Sequence, residues 1–328
     1  MIKTQIRKLI TLVLFVFLNT NAIAIAGRIT QTIHLTEGWN AIFIELDPEN
    51  SAPDKLFKNL PIDQVFTYFP QKSSVQFIQE PDEIDIKQAS WARWVPSEKT
   101  DAFLNSIYQI LPGQAYLIHS LADYSWELRG KPYFKNQTWL PNSFNLKGFY
   151  VNPLHPPTFK TFFAHSRAHS QLVIYHLIQN HWQRITDLDT QVIRPGKAYW
   201  IYSTGGSNFN GPLQIDLPMK LSELVFDIQT ISSIIQCRNM TPDPLKLTIQ
   251  LINDETDCPI HRIKSTPTGN KRYQPLTTIH KQISHSTTER IPLAIRPGEI
   301  SNDLCESVLK VYDDIGSLFY IPVVIRKN

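Results

Sequence analysis

Apolar and polar positions along this chain alternate over short stretches, and the period is that of strands far more often than of helices. The clearest case is Leu245-Lys246-Leu247-Thr248-Ile249-Gln250-Leu251, where strict alternation marks a strand with one face buried. Residues 306–312 and 317–325 predict a final hairpin closed by Asp313-Asp314-Ile315-Gly316, with Pro322 placing an edge on the last strand. Further strands are expected at 221–229, 232–237 and 290–295, which together suffice for an immunoglobulin-like sandwich. Between Asp254 and Ser286 no such pattern occurs, and a long polar loop is expected there. Helical signals are brief. Residues 51–57 and 158–163 support one or two turns each, the first with Ser51 and Asp54 at capping-box spacing and the second entered from Thr158.

The first two thirds of the chain repeat a pattern of three blocks. Gly38-Trp39-Asn40-Ala41-Ile42-Phe43-Ile44-Glu45-Leu46-Asp47-Pro48 lies over Ser143-Phe144-Asn145-Leu146-Lys147-Gly148-Phe149-Tyr150-Val151-Asn152-Pro153. Each is an aromatic-Asn entry, a strand and an Asx-Pro turn, because proline drives the residue before it out of helix. The short helical turns follow, and then a strand in each copy, 63–68 and 171–175, rich in β-branched and aromatic residues. The third block pairs Ile110-Leu111-Pro112-Gly113-Gln114-Ala115-Tyr116-Leu117-Ile118 with Ile193-Arg194-Pro195-Gly196-Lys197-Ala198-Tyr199-Trp200-Ile201. Pro-Gly predicts a type II turn, with glycine at the position needing positive φ. The first copy carries extra residues near 71–99, expected to form a surface loop.

These blocks resemble the "GWN" modules of secreted bacterial proteins, which open with a Gly-Trp-Asn strand and close with a Pro-Gly-x-x-Tyr-Trp strand. The matching residues are Gly38, Trp39, Asn40, Pro112, Gly113 and Tyr116 in one copy, and Phe144, Asn145, Pro195, Gly196, Tyr199 and Trp200 in the other. Ser143-Phe144 stands where the motif has Gly-Trp. The family has no established activity, so the resemblance implies a fold and no chemistry.

The N-terminus predicts export. Lys3, Arg7 and Lys8 precede an apolar run at 9–18, and Ala24-Ile25-Ala26 before Gly27 is a small-x-small cleavage site. That run is about half of the ~20 residues a membrane-spanning helix needs, so residues 1–26 are read as a signal peptide and the mature protein as soluble, periplasmic or extracellular. With 19% charged and 42% apolar residues the rest is an ordinary folded chain, and 23 prolines against 12 glycines favour many short segments. A net charge of +3 is too small and too scattered for a nucleic-acid partner. Cys237, Cys258 and Cys305 include no CxxC pair; export would allow two of them to bridge, and spacing does not select which.

Candidate chemistry is sparse. Phosphate-loop, Gly-x-Ser-x-Gly and His-Glu-x-x-His motifs are all missing from the sequence. His165 and His169 have the i, i+4 spacing of metal ligands, but no Cys, Asp or Glu lies between His155 and Trp182 to join them, and neither metal nor cofactor is expected. The acidic run Glu80-Pro81-Asp82-Glu83-Ile84-Asp85 lacks the glycine turn of a calcium loop and reads as a solvated face, or as a hydrolase's carboxylates in an alternative reading. Trp91, Trp94, Trp126 and Trp139 fall in or near loop-like segments, and Trp91, Arg93 and Trp94 are the expected ligand-binding patch, for a glycan or another envelope protein. The sequence therefore predicts a mainly β protein with a signal peptide (1–26), two related β-rich modules with short helical turns (27–135 and 136–218), and an immunoglobulin-like sandwich (219–328). Its expected role is non-catalytic adhesion, scaffolding or envelope structure, with a carbohydrate-binding protein and a polysaccharide hydrolase as alternatives.

Overall fold

A computed structural model describes residues 27–70, 80–84, 90–252, 258–265 and 270–327. The expected signal peptide lies outside the described residues, as does Asp85. Among the described residues no helix is long and apolar enough to cross a membrane. The protein is mainly β, as its short polar-apolar periods require, and its strands fall into three consecutive parts.

In the N-terminal part, β1 (Ile29–Leu35), β2 (Gly38–Ile44), β3 (Leu46–Pro48), β4 (Ile62–Tyr68), β5 (Trp91–Trp94), β6 (Gln114–Ser120) and β7 (Tyr124–Pro132) form two antiparallel sheets, ordered β1-β7-β3 and β2-β6-β4-β5. Ile33, Leu35, Ile42, Ile44, Val65, Trp94, Tyr116, Ile118, Trp126 and Leu128 close the core between them. Every residue of β2 is buried, because its second face is covered by the next part of the chain. The short α1 (Pro53–Leu56) is entered from Ala52 with no side-chain cap; the Ser51 carbonyl instead accepts the Ile110 N–H, and Asp54 accepts the Trp94 indole, so the expected capping box does not form.

The middle part is one antiparallel sheet, β10-β9-β11-β8, from β8 (Ser143–Gly148), β9 (Ile174–Ile178), β10 (His181–Arg184) and β11 (Ala198–Ser203). Its core is aromatic: Trp139, Phe149, Phe159, Phe162, Phe163 and Tyr199. Here α2 (Phe159–Phe163) does take the expected cap, Thr158 Oγ1 accepting the Thr161 N–H at 3.2 Å.

The C-terminal part is a sandwich of two five-stranded sheets, β12-β14-β19-β16-β17 and β13-β21-β20-β15-β18. Its strands are β12 (Leu213–Asp216), β13 (Leu224–Phe226), β14 (Ser232–Asn239), β15 (Leu245–Ile252), β16 (Ile260–Ser265), β17 (Lys271–Pro275), β18 (Thr278–Ile283), β19 (Thr288–Ile295), β20 (Leu304–Asp313) and β21 (Leu318–Arg326). A disulfide joins Cys258, just before β16, to Cys305 in β20, and so ties one sheet to the other; Cys237 stays free and buried. Two expectations are corrected here. The stretch read as a polar loop carries β16, β17 and β18. The sandwich takes in β12, which precedes the expected boundary at 219 and pairs with β14. Pro322 sits where β21 has an open outer side: β13 pairs beside it only from Val323 to Ile325, and at its other end the Leu318 N–H bonds to the Tyr150 carbonyl.

Candidate functional site

Four residue types recur at matched places in the N-terminal and middle parts. Asn40 Oδ1 accepts the Thr36 N–H at 3.0 Å while its amide donates to the Thr36 and Gly38 carbonyls. Asn145 does the same with the Leu140 N–H and the Leu140 and Ser143 carbonyls. The Tyr116 hydroxyl accepts the Leu111 N–H at 2.7 Å, and the Tyr199 hydroxyl accepts the Arg194 N–H at 3.0 Å, each tying a Pro-Gly turn to the strand that leaves it. Gly113 and Gly196, in those turns, both have φ of 69°. Ser120 and Ser203, opposite the starts of β2 and β8, each donate to the carbonyl two residues on. The asparagine, tyrosine and serine side chains all satisfy backbone groups, as buried polar side chains must.

The two sheets that carry these strands face each other. Between them lie Trp39, Ala41, Phe66, Trp91, Ala115 and Leu117 from one side, and Leu146, Trp182, Ala198 and Trp200 from the other. Trp91 meets Trp200 edge to face with centroids 6.2 Å apart, Tyr68 meets Trp200 at 5.0 Å, and Trp182 meets Trp200 at 6.2 Å, the tilted geometries that ring quadrupoles favour. Backbone bonds cross the seam too: Phe43 N–H to the Gly196 carbonyl at 2.8 Å, and Trp39 N–H to Asn180 Oδ1 at 2.7 Å. At Gly148 a Cβ would stand 2.1 Å from the Cβ of Phe43, so the approach of β8 to β2 needs a residue without one.

The expected ligand-binding patch is therefore not a surface. Trp91 is 7% exposed and lies in the seam; Trp94 is 4% exposed, packs on Phe57 in the N-terminal core and donates its indole N–H to Asp54. Arg93 is buried and paired with Asp101. These residues form β5 and not a loop, and β5 is covered on both faces. Of the extra segment, residues 71–79 and 85–89 lie outside the described residues. Trp126 and Trp139, also read as loop-like, are core residues.

The acidic run is drawn into the same seam. Asp82 accepts the Trp39 indole N–H at 2.7 Å, and Glu80 stands 3.5 Å from His181 Nδ1 across the seam. Both carboxylates thus have structural partners. The histidine pair is divided: His165 is exposed, whereas His169 is buried against Trp139 and hydrogen-bonded to Ser166 at 2.6 Å, with burial pushing its pKa down to about 4. No group of three or more metal-ligating side chains comes together among the described residues.

A charged cluster that sequence reading missed surrounds Asp63. Burial works to raise its carboxyl, but hydrogen bonds from Lys99 at 2.7 Å and His119 at 2.6 Å outweigh that and hold it below the usual range. No sequence spacing could have found it, since the three residues come from separate segments. A second group lies in a cleft of about 530 Å³ along the edge of the seam, lined by Glu37, His176, Gln179, Gln191, Arg194 and Lys197.

No protein-family model matches the chain, and no curated protein matches it. Among solved structures it is similar to the E. coli chaperone DraB at 12% identity and a TM-score of 0.25, over 35% of this chain and 54% of that one. The Salmonella enterica SafA pilin in complex with the SafB chaperone gives 5% identity and 0.24, over 35% and 53%. The CupB6 tip adhesin from Pseudomonas aeruginosa gives 9% and 0.20, over 93% and 100%. The match spans about half the length of the first two. These likenesses carry no function to this chain.

Proposed function

We propose that the protein is an exported, non-catalytic envelope component of adhesion, scaffolding or structural type, in which residues 27–135 and 136–218 are two copies of one module. The observation that carries this reading is the seam. Trp91, which an exposed binding platform would need, is buried in that seam and Trp94 in the N-terminal core, while Glu80, which a hydrolase would need, reaches across the seam to His181 and Asp82 holds the Trp39 indole. The middle part is in turn bound to the sandwich by Asn152 N–H to the Gly316 carbonyl and Leu318 N–H to the Tyr150 carbonyl. A chain built in this way works as a rigid spacer or presenting body. Export is supported by the N-terminal sequence and by the Cys258–Cys305 bridge, which belongs to an oxidising compartment.

The test is to express the full chain in a bacterium, fractionate the cells and measure intact mass after thiol alkylation. We expect envelope or medium localisation, a mature chain beginning at Gly27 and two of the three cysteines protected as a disulfide. Cytoplasmic retention with every cysteine reduced would remove the reading. So would turnover of a polysaccharide substrate that disappears in Glu80→Gln or Asp82→Asn.

A further inference from the structure

The cleft at the edge of the seam has a composition that packing does not explain. One wall is β9 and the turn that follows it; the other is the Pro-Gly turn at Arg194 to Lys197 together with the start of β2. The walls are held firmly. Gln179 and Asn180, with φ of 48° and 68°, make the tight two-residue turn between β9 and β10, and Asn180 is fixed by the Trp39 N–H. The Pro-Gly turn is fixed by the Tyr199 hydroxyl and by the Phe43 N–H on the Gly196 carbonyl.

Into this space project Arg194, Lys197 and His176. None of the three makes an ion pair among the described residues, and Lys197 Nζ has the His34 carbonyl as its partner at 2.9 Å. Burial, and then the positive charge of Arg194, depresses the pKa of both Lys197 and His176, so the groups are near enough to repel. One carboxylate, the exposed Glu37, also lines the cleft. Basic groups gathered in a preformed cleft, without ion pairs among the described residues and outnumbering its single lining carboxylate, are stabilised when an anion enters, and a guanidinium recognises a planar or tetrahedral oxyanion by paired hydrogen bonds. Gln179 and Gln191 add side-chain amides that can both donate and accept, the chemistry that hydroxyl groups require. A volume of about 530 Å³ suits a small ligand or one end of a chain.

We infer that this cleft binds an acidic saccharide, with Arg194 and Lys197 holding its carboxylate or sulfate group and the two glutamines contacting its hydroxyls. The inference does not rest on the scaffold reading: a rigid spacer with no ligand and a rigid spacer with this site have the same seam.

The experiment titrates the full-length mature protein by calorimetry with three probes: a glucuronate-containing disaccharide, a sulfated disaccharide and a neutral disaccharide of the same size. Saturable binding of at least one acidic probe, and none of the neutral one, is expected; comparing the two acidic arms shows whether carboxylate or sulfate is the ligand group. Arg194→Gln should weaken that binding by about tenfold or more, the loss of one charge-assisted contact. Arg167→Gln, at an exposed arginine that does not line the cleft, should leave it unchanged and serves as the charge control. Lys197→Gln should weaken binding as well, with a thermal melt run alongside because its ammonium also holds the His34 carbonyl. The inference is overturned if no acidic probe binds at millimolar concentration, if the neutral probe binds equally, or if Arg194→Gln binds as the wild type does.

Discussion

At the scale of single residues, Tyr199 shows how much one side chain does for a turn. Its ring packs in the aromatic core against Phe149 and Phe159, and its hydroxyl takes the Arg194 N–H; burial raises its pKa to about 12, so it stays protonated. Tyr199→Phe keeps the ring and should cost about 1 kcal/mol for the lost hydrogen bond. Tyr199→Ala also opens a cavity and should cost about 3–5 kcal/mol. At Gly196 the nearest atom to an added Cβ is Gln31 Nε2 at 3.4 Å, so Gly196→Ala meets backbone strain without a clash and should cost about 1 kcal/mol. Urea unfolding of the three variants checks the order, and a Gly196→Ala protein as stable as the wild type would contradict the strained turn. These residues were legible in the sequence because their chemistry is local, a Pro-Gly pair and a tyrosine five residues after the N–H it binds. Trp91 and Trp94 were not. Nothing within Trp91-Ala92-Arg93-Trp94 reveals that one face of the strand meets its own core and the other meets Trp200, more than a hundred positions away.

At the scale of elements, β15 was readable because it buries one face of a long strand and the alternation survives, and the final hairpin because two long apolar runs flank the turn at Asp313 to Gly316. Strands β16 to β18 were not, since they are short and carry Lys264, Lys271, Arg272 and Lys281 on surfaces that face solvent or a sheet edge. Their place in the sandwich is set by pairing with β19 and β15, and by the Cys258–Cys305 bridge that anchors the entry to β16. The bridge closes a loop of 47 residues, for which the loss of unfolded-chain entropy gives about 4 kcal/mol of stabilisation. Reduction, or Cys305→Ala, should lower the urea midpoint of the sandwich accordingly; equal midpoints with and without reductant would show that the core alone holds the two sheets. Cys237 is not a competitor for the bridge. It is buried in β14, where burial pushes its thiol up to about 12, and it should resist alkylation until the protein unfolds.

At the scale of the whole molecule, the point where the three parts meet is marked by a carboxylate that makes no ion pair among the described residues. Glu45 leaves β2 and enters a space shared with Gly196 and Tyr150 of the middle part and Tyr320 of the sandwich. Burial raises its pKa from 4.5 to about 8, the Gly196 N–H pulling more weakly the other way, and burial together with the Glu45 charge raises Tyr150 and Tyr320. The folded protein therefore keeps a proton on Glu45 through a range in which the unfolded chain has lost it. Where the folded state binds more protons, stability falls as pH rises, so the contribution of Glu45 is lost between pH 4.5 and about 8. Part of the side chain reaches solvent, which moderates the size of the effect and leaves its sign. Two other buried groups act in different windows: His169, pushed down to about 4, costs stability as pH falls below 6.5, and Lys147, pushed down to about 8, acts above that value. Comparing the wild type with Glu45→Gln cancels both. Urea unfolding at pH 5 and pH 8.5 should show the wild type losing stability relative to the glutamine variant as pH rises, with the loss accompanied by increased protease cleavage at the junction of the three parts. Parallel curves for the two proteins would mean that the Glu45 carboxylate is hydrated in solution and that the junction is held by its aromatic and backbone contacts alone.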